Sequence, residues 1–197
     1  MSSLLDLLTN QLGGNAVEQI AGRIGADQNT TSKALSTALP LLLTALSRNA
    51  ANPQGAQSLH TALAKDHSGG ILDDVMGFVG GATSSANGAG ILKHVLGGQR
   101  PTVEQGIAQA SGLNSNSVGQ LLELAAPLLM GALGRTTQQE GLDANGLAQF
   151  LGGQQQAVQS QTPDLLGMLG GLIDQNRDGN VLDDVTHIAS KFFGGKQ

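Results

Sequence analysis

Between Asp174 and Asp184 the chain reads DQNRDGNVLDD, the one stretch whose residue types and spacing point to recognisable chemistry. Oxygen-bearing side chains recur at alternate places, Asp174, Asn176 and Asp178, and Gly179 follows. A hard cation such as Ca2+ takes about six to eight oxygen ligands. Alternate side chains of a tight loop converge on one point, and a glycine permits the sharp turn. Asn180 offers its backbone carbonyl, Val181 is an apolar anchor, and Asp183 or Asp184 can close the shell. The predicted metal ligands are therefore Asp174, Asn176, Asp178, Asn180, Asp183 and Asp184, with Ca2+ as the ion. The plainer reading is an Asx-Gly turn in which Asp183 and Asp184 open a helix, where carboxylates are favoured anyway. The simultaneous match of several places favours the cation.

No second constellation of this kind is present. Asp66, Ser68, Gly69, Asp73 and Asp74 echo the loop 110 positions earlier, but Ala64 holds the place of Asp174, so residues 64–75 read as a degenerate relative without useful metal affinity. His60, His67, His94 and His187 are dispersed and read as surface or capping residues. There is no cysteine, no Gly-x-Ser-x-Gly, no phosphate-cradling glycine loop and no His-Glu-x-x-His. No acid–base pair stands out, and the chain is expected not to be an enzyme.

The formal charge is −5, and the 10 lysines and arginines are scattered with no two adjacent. Nucleic-acid binding normally needs a clustered basic face to displace counterions, so it is the lesser reading. Residues 1–14 lack a basic n-region and carry Asp6, unlike a Sec-type signal peptide. The longest apolar run is about nine residues around Leu39–Ala45, where a membrane span needs about 20. A cytoplasmic protein is expected, or one exported by a route that leaves no N-terminal mark. The expected partner is another protein, a second copy of the chain included.

The elements that must carry such a loop are helical. Residues 20–48 and 107–135 repeat at a spacing of 87: Ile20-Ala21, Gly25, Leu35, Pro40-Leu41-Leu42, Ala45-Leu46 and Arg48 all recur. Such self-similarity marks an internal duplication. Each copy reads as a short helix, a polar turn and a long apolar helix with a proline inside, and Arg48 and Arg135 fall in its last turns. With 40% hydrophobic residues, 2% aromatic and 29 glycines, the core must be aliphatic and the helices close. Leu4 to Leu12 predicts a helix closed by Gly13-Gly14, Asp27-Gln28-Asn29-Thr30 is turn and N-cap chemistry, and Asp143 is an N-cap candidate. Asn52-Pro53 breaks the chain, Ile71 to Val79 predicts a helix, and Thr102 with Gln105 predicts a capping box. No period-two strand is present. The fold class is all-α, with two related helical units by tandem duplication and a C-terminal helix-loop-helix hairpin. The boundaries are 1–80 and 102–152 for the units, 81–101 for a flexible connector with a short helix, 153–162 for a Gln/Ser linker and 163–197 for the hairpin.

Two resemblances rest on these residues. The run Gly90-Ile91-Leu92-Lys93-His94-Val95-Leu96-Gly97, then Val103-Glu104-Gln105, Ile107-Ala108, Ser111-Gly112-Leu113, Leu121-Leu122 and Ala126 to Gly131, resembles the YidB-like bacterial family, catalogued as domain of unknown function 937. The resemblance covers roughly residues 1–152. It implies an all-helical fold with helix-turn-helix-like packing in part, and it brings no catalytic residues. The helix-turn-helix analogy is what a nucleic-acid-binding regulator would rest on. The C-terminal loop resembles an EF-hand or dockerin-type calcium loop, but its twelfth place, where that family holds a bidentate carboxylate, is Val185. The departure implies weak affinity, on the order of 10⁻⁴–10⁻³ M. Calorimetry with calcium is expected to show heat for the wild type and none for Asp178→Ala; equally negligible heats would remove the metal.

Overall fold

The structure is a computed structural model and describes residues 4–81 and 87–161, with the side chains of Asp6, Thr9, Asn10 and Gln161 left out. The chain divides into two units, Met1–Val158 and Gln159–Gln197. Every described residue lies in a helix or a short connection, and no strand occurs among them. The helices are α1 (Leu4–Gln11), α2 (Gly14–Ile24), α3 (Gln28–Ala50), α4 (Pro53–Asp66), α5 (Val75–Val79), α6 (Gly88–Leu96), α7 (Arg100–Ser111), α8 (Ser115–Glu140) and α9 (Ala144–Gln161), with 3-10 turns at Gly70–Leu72 and Gly97–Gln99.

Local chemistry explains most boundaries. α2 and α7 both end on a left-handed glycine, Gly25 at φ +68° and Gly112 at φ +85°. The following helices are both capped by a side-chain oxygen that satisfies an orphan amide. Asp27 accepts from the Thr30 amide at 2.9 Å, and Asn114 accepts from the Ser117 amide at 2.9 Å. Hydrogen bonds from the Thr30 side chain and amide hold the Asp27 carboxyl below the usual carboxylate range. Asn52 caps α4 with Pro53 in its first turn, where a missing amide costs nothing. Asp143 caps α9 through the Gly146 amide at 2.7 Å.

Elsewhere the boundaries differ from the sequence reading. Gly13 and Gly14 close nothing in the left-handed region: Gly13 stands before α2, and Gly14 is its first residue. Thr102 and Gln105 form no capping box, because α7 already starts at Arg100 with Pro101 in its first turn. The expected Gln/Ser linker is helical as far as Gln161, since glutamine is a good helix former and Leu151 and Val158 have a core to face. Ile71–Val79 is not one helix but a 3-10 turn followed by α5, divided where Asp74 caps α5 through the Gly77 amide.

The core is organised on α8. Leu121, Leu122, Leu128, Leu129 and Leu133 are fully buried, and Pro127 is buried among them. A helix apolar on all sides needs cover on all sides, and α1, α2, α3, α4, α6 and α7 all pack against it. Each such leucine contributes about 1.5–3 kcal/mol of burial. By length and composition α8 could cross a membrane, but 89% of its most apolar window is buried inside the protein. The two repeated stretches interlock: α7 lies on α3 as well as on α8, and α2 lies on α8 as well as on α3. The Ser117 hydroxyl, accepting from the Asn114 side chain, donates to the Ile24 carbonyl at 2.9 Å and ties the start of α8 to the end of α2.

Residues 67–81 form a strap whose first part, 67–72, lies over the second half of α8 and whose last part, α5, lies on α2, and α8 is cut away to receive it. A Cβ at Gly134 would stand 1.8 Å from the His67 carbonyl oxygen, and one at Gly131 would stand 2.3 Å from Ile71 Cγ2. Two arginines pin the ends. Arg135 donates to the Gly69 carbonyl at 3.0 Å and pairs with Asp73, while Arg23 donates to the Val79 carbonyl at 2.6 Å. α8 runs five residues beyond Arg135, which therefore serves the strap and not the dipole of a last turn.

Gly134→Ala is expected to lower stability by about 1–3 kcal/mol through the backbone clash. Gly22→Ala, at a helical glycine with nothing within 4 Å of the added carbon, should gain about 0.5–1 kcal/mol. Urea unfolding of both checks the pair, and equal effects would contradict the packing. Ser117→Ala should cost about 1 kcal/mol in the same measurement.

Candidate functional site

The residues singled out in the sequence as calcium ligands, Asp174, Asn176, Asp178, Asn180, Asp183 and Asp184, lie outside the described residues. Their echo at 64–75 is described. Asp66 ends α4, Asp73 pairs with Arg135, and Asp74 caps α5, so the two neighbouring carboxylates serve different partners. The Arg135 guanidinium takes two oxygens of this segment, the Gly69 carbonyl and the Asp73 carboxylate. No group of three or more metal-binding side chains converges among the described residues.

What the structure adds is a cleft of about 470 Å³ formed by the end of α3, the face of α4, α6 and one residue of α8. Its apolar walls are Leu46, Leu59, Ala62, Ile91, Val95 and Met130. Its polar groups are Asn49, Ser58, His67, Asn87 and His94. A concave, mostly apolar site with a few polar groups is the usual form of a small-ligand pocket.

Each wall has a structural reason. Asn52 and Pro53 start α4 just after α3, so the two helices turn back on one another. Asn87 starts α6 by accepting from the Gly90 amide at 2.8 Å. The Asn49 side chain donates to the Val95 carbonyl at 3.0 Å and ties the end of α6 to α3. The His94 Nδ1 lies 2.9 Å from the Gly90 carbonyl. A carbonyl only accepts, so this nitrogen carries the proton and Nε2 is left for another partner. His67 is half-buried, and desolvation pushes its imidazole below the ordinary value while the Asp66 charge opposes that shift. No carboxylate lines the cleft.

The Leu4 amide, at the start of α1, donates to Gln154 Oε1 on α9 at 3.3 Å. A smaller space of about 440 Å³ lies between α4 and α8. There His60 Nε2 donates to the Leu142 carbonyl at 3.1 Å and Asp143 is engaged as a cap. Arg100 bridges Glu104 at 2.6 Å and Glu123 at 2.8 Å, a strut between α7 and α8. Glu104 first and Glu123 second hold its guanidinium above the ordinary value.

Sequence reasoning placed His67 and His94 as isolated surface or capping residues and missed that they share a cleft. Twenty-seven positions separate them, and no periodicity connects the end of α4 with the end of α6.

No curated protein and no solved structure matches the chain. A protein-family model described as "Bacterial protein of unknown function (DUF937)" matches residues 6–136, which span α2 to α7 whole, all but the first residues of α1 and most of α8. The interlocked core and the cleft walls fall inside that match, and the chain belongs to this family.

Proposed function

We propose that the chain is a non-enzymatic binding module, made of two copies of one helical unit, with the cleft between α4 and α6 as its binding element. The single observation that carries this is the cleft itself: an apolar space of about 470 Å³ edged by amide, hydroxyl and imidazole groups.

The duplication is supported by equivalent chemistry at a spacing of 87. Ile20 and Ile107 are both fully buried, Gly25 and Gly112 are both left-handed caps, and Asp27 and Asn114 both cap a long helix.

The C-terminal residues enter the proposal from sequence alone. Residues 163–197 are read as a helix-loop-helix hairpin with a weak Ca2+ site at 174–184, a second binding element for the same protein. The nucleic-acid reading lacks a basic face in its support. Arg23, Arg100 and Arg135 are engaged with carbonyls and carboxylates of the protein itself.

Nile red, an uncharged apolar dye, tests the cleft. Its fluorescence is expected to rise and saturate near one dye per chain. Ala62→Phe, which fills the cleft, should abolish the rise while the far-ultraviolet circular dichroism stays unchanged. A wild type without saturable binding, or a variant that binds as well, would end the reading.

A further inference from the structure

We propose that the cleft receives a single-chain anionic amphiphile, its aliphatic body against Leu59, Ile91, Val95 and Met130 and its anionic head met by imidazole. This rests on reading the cleft as the binding element. It adds what that reading leaves open, the charge and shape of the ligand.

The walls decide the body. Five aliphatic side chains and a thioether from four helices offer dispersion contacts, and the two amides beside them are engaged, Asn49 on the Val95 carbonyl and Asn87 as the cap of α6. The charges decide the head. The chain is acidic overall, at −5, yet no Asp or Glu lines the cleft, and its titratable lining groups are His67 and His94. The charged neighbours on the surrounding elements are mostly cations outside the three ion pairs of the described residues. Arg48 adjoins Asn49 on α3, Lys93 adjoins His94 on α6, and Lys65 stands two residues before His67 on α4. Asp66 is the acid among them. Arg135 on α8 is paired with Asp73 and adds little net charge. Two imidazoles and no carboxylate on an apolar slot, in an acidic protein, complement a molecule with one negative end.

The slot also suits a ligand better than a partner helix. Met76 is the large apolar side chain left exposed among the described residues. It lies on α5 and does not line the cleft. An interface of protein size normally needs about 800 Å² from each partner.

Binding of an anion is coupled to protonation. In the free protein burial disfavours the charged form of His67. An anionic head beside it restores that form, so its pKa is higher in the complex. Affinity is therefore greatest below the free-state value and falls as the pH rises through the value in the complex.

The test uses the full chain and calorimetric titration with 1-octanesulfonate, charged throughout the range, and with 1-octanol, which has the same body and no charge. At pH 5.5 the sulfonate is expected to bind at least tenfold more tightly than the alcohol. The preference should shrink several-fold at pH 8 and be lost in His67→Asn/His94→Asn, with the circular dichroism retained. Equal binding of the two at pH 5.5 would overturn the anionic head and leave the cleft reading standing. Failure of both to bind, with Nile red also unbound, would end both. Sulfonate binding that survives Ala62→Phe would place it outside the cleft and overturn the proposal. Phosphatidylglycerol vesicles in parallel separate a free amphiphile from bilayer lipid: binding to vesicles alone would also overturn it.

Discussion

The absence of side chains at two places on α8 sets the geometry of everything packed on its second half. Gly131 and Gly134 are one turn apart on the same face of a helix otherwise dense with leucine. Into the space they leave come the His67 carbonyl and the Ile71 side chain. That contact fixes where α4 ends, because the chain must reach the notch at His67. It fixes where the Arg135 guanidinium finds its partners, one residue beyond Gly134. It also fixes one end of the cleft, since His67 lines it. At the equivalent positions of α3 stand Thr44 and Ser47, buried but larger, and the Thr44 hydroxyl turns back to the Pro40 carbonyl at 2.9 Å. α3 and α8 thus share a sequence pattern and differ at the surface where each receives its cover.

How much of this could be seen in the sequence follows from the range of the forces involved. Helix identity, left-handed glycine ends and Asp or Asn caps depend on residues three or four apart, and Gly25, Asp27, Asn52 and Asp143 were legible for that reason. The same locality explains the errors. Thr102 and Gln105 have the spacing of a capping box, but Pro101 and Arg100 start the helix earlier. Residues 153–161 have the composition of a linker, but a helix already begun at Asp143 propagates at little cost through glutamine. Gly13 and Gly14 look like a terminator until α2 begins there.

The candidate site was less legible, because its parts come from four helices and are joined by shape. The repeat predicted that Arg48 and Arg135 were equivalent. Arg135 has instead become a clamp on Gly69 and Asp73, a role fixed by the strap that passes it. Nothing in the spacing of His67 and His94 announces a shared wall. The loop at 174–184 is the opposite case, a pattern readable from residue types alone and lying beyond the described residues.

The interlocking of α2 and α3 with α7 and α8 bears on how the chain comes into being at the ribosome. When α3 has emerged, α7 and α8, which cover much of it, are still to be translated. The first half must therefore wait, with buried leucines such as Leu35, Leu42 and Leu43 uncovered, until translation has passed the end of α8 at Glu140. Long-range partners of this kind slow folding and expose apolar surface to nascent-chain chaperones. A truncation just after α4 would release a fragment with the right secondary structure and nothing to close it.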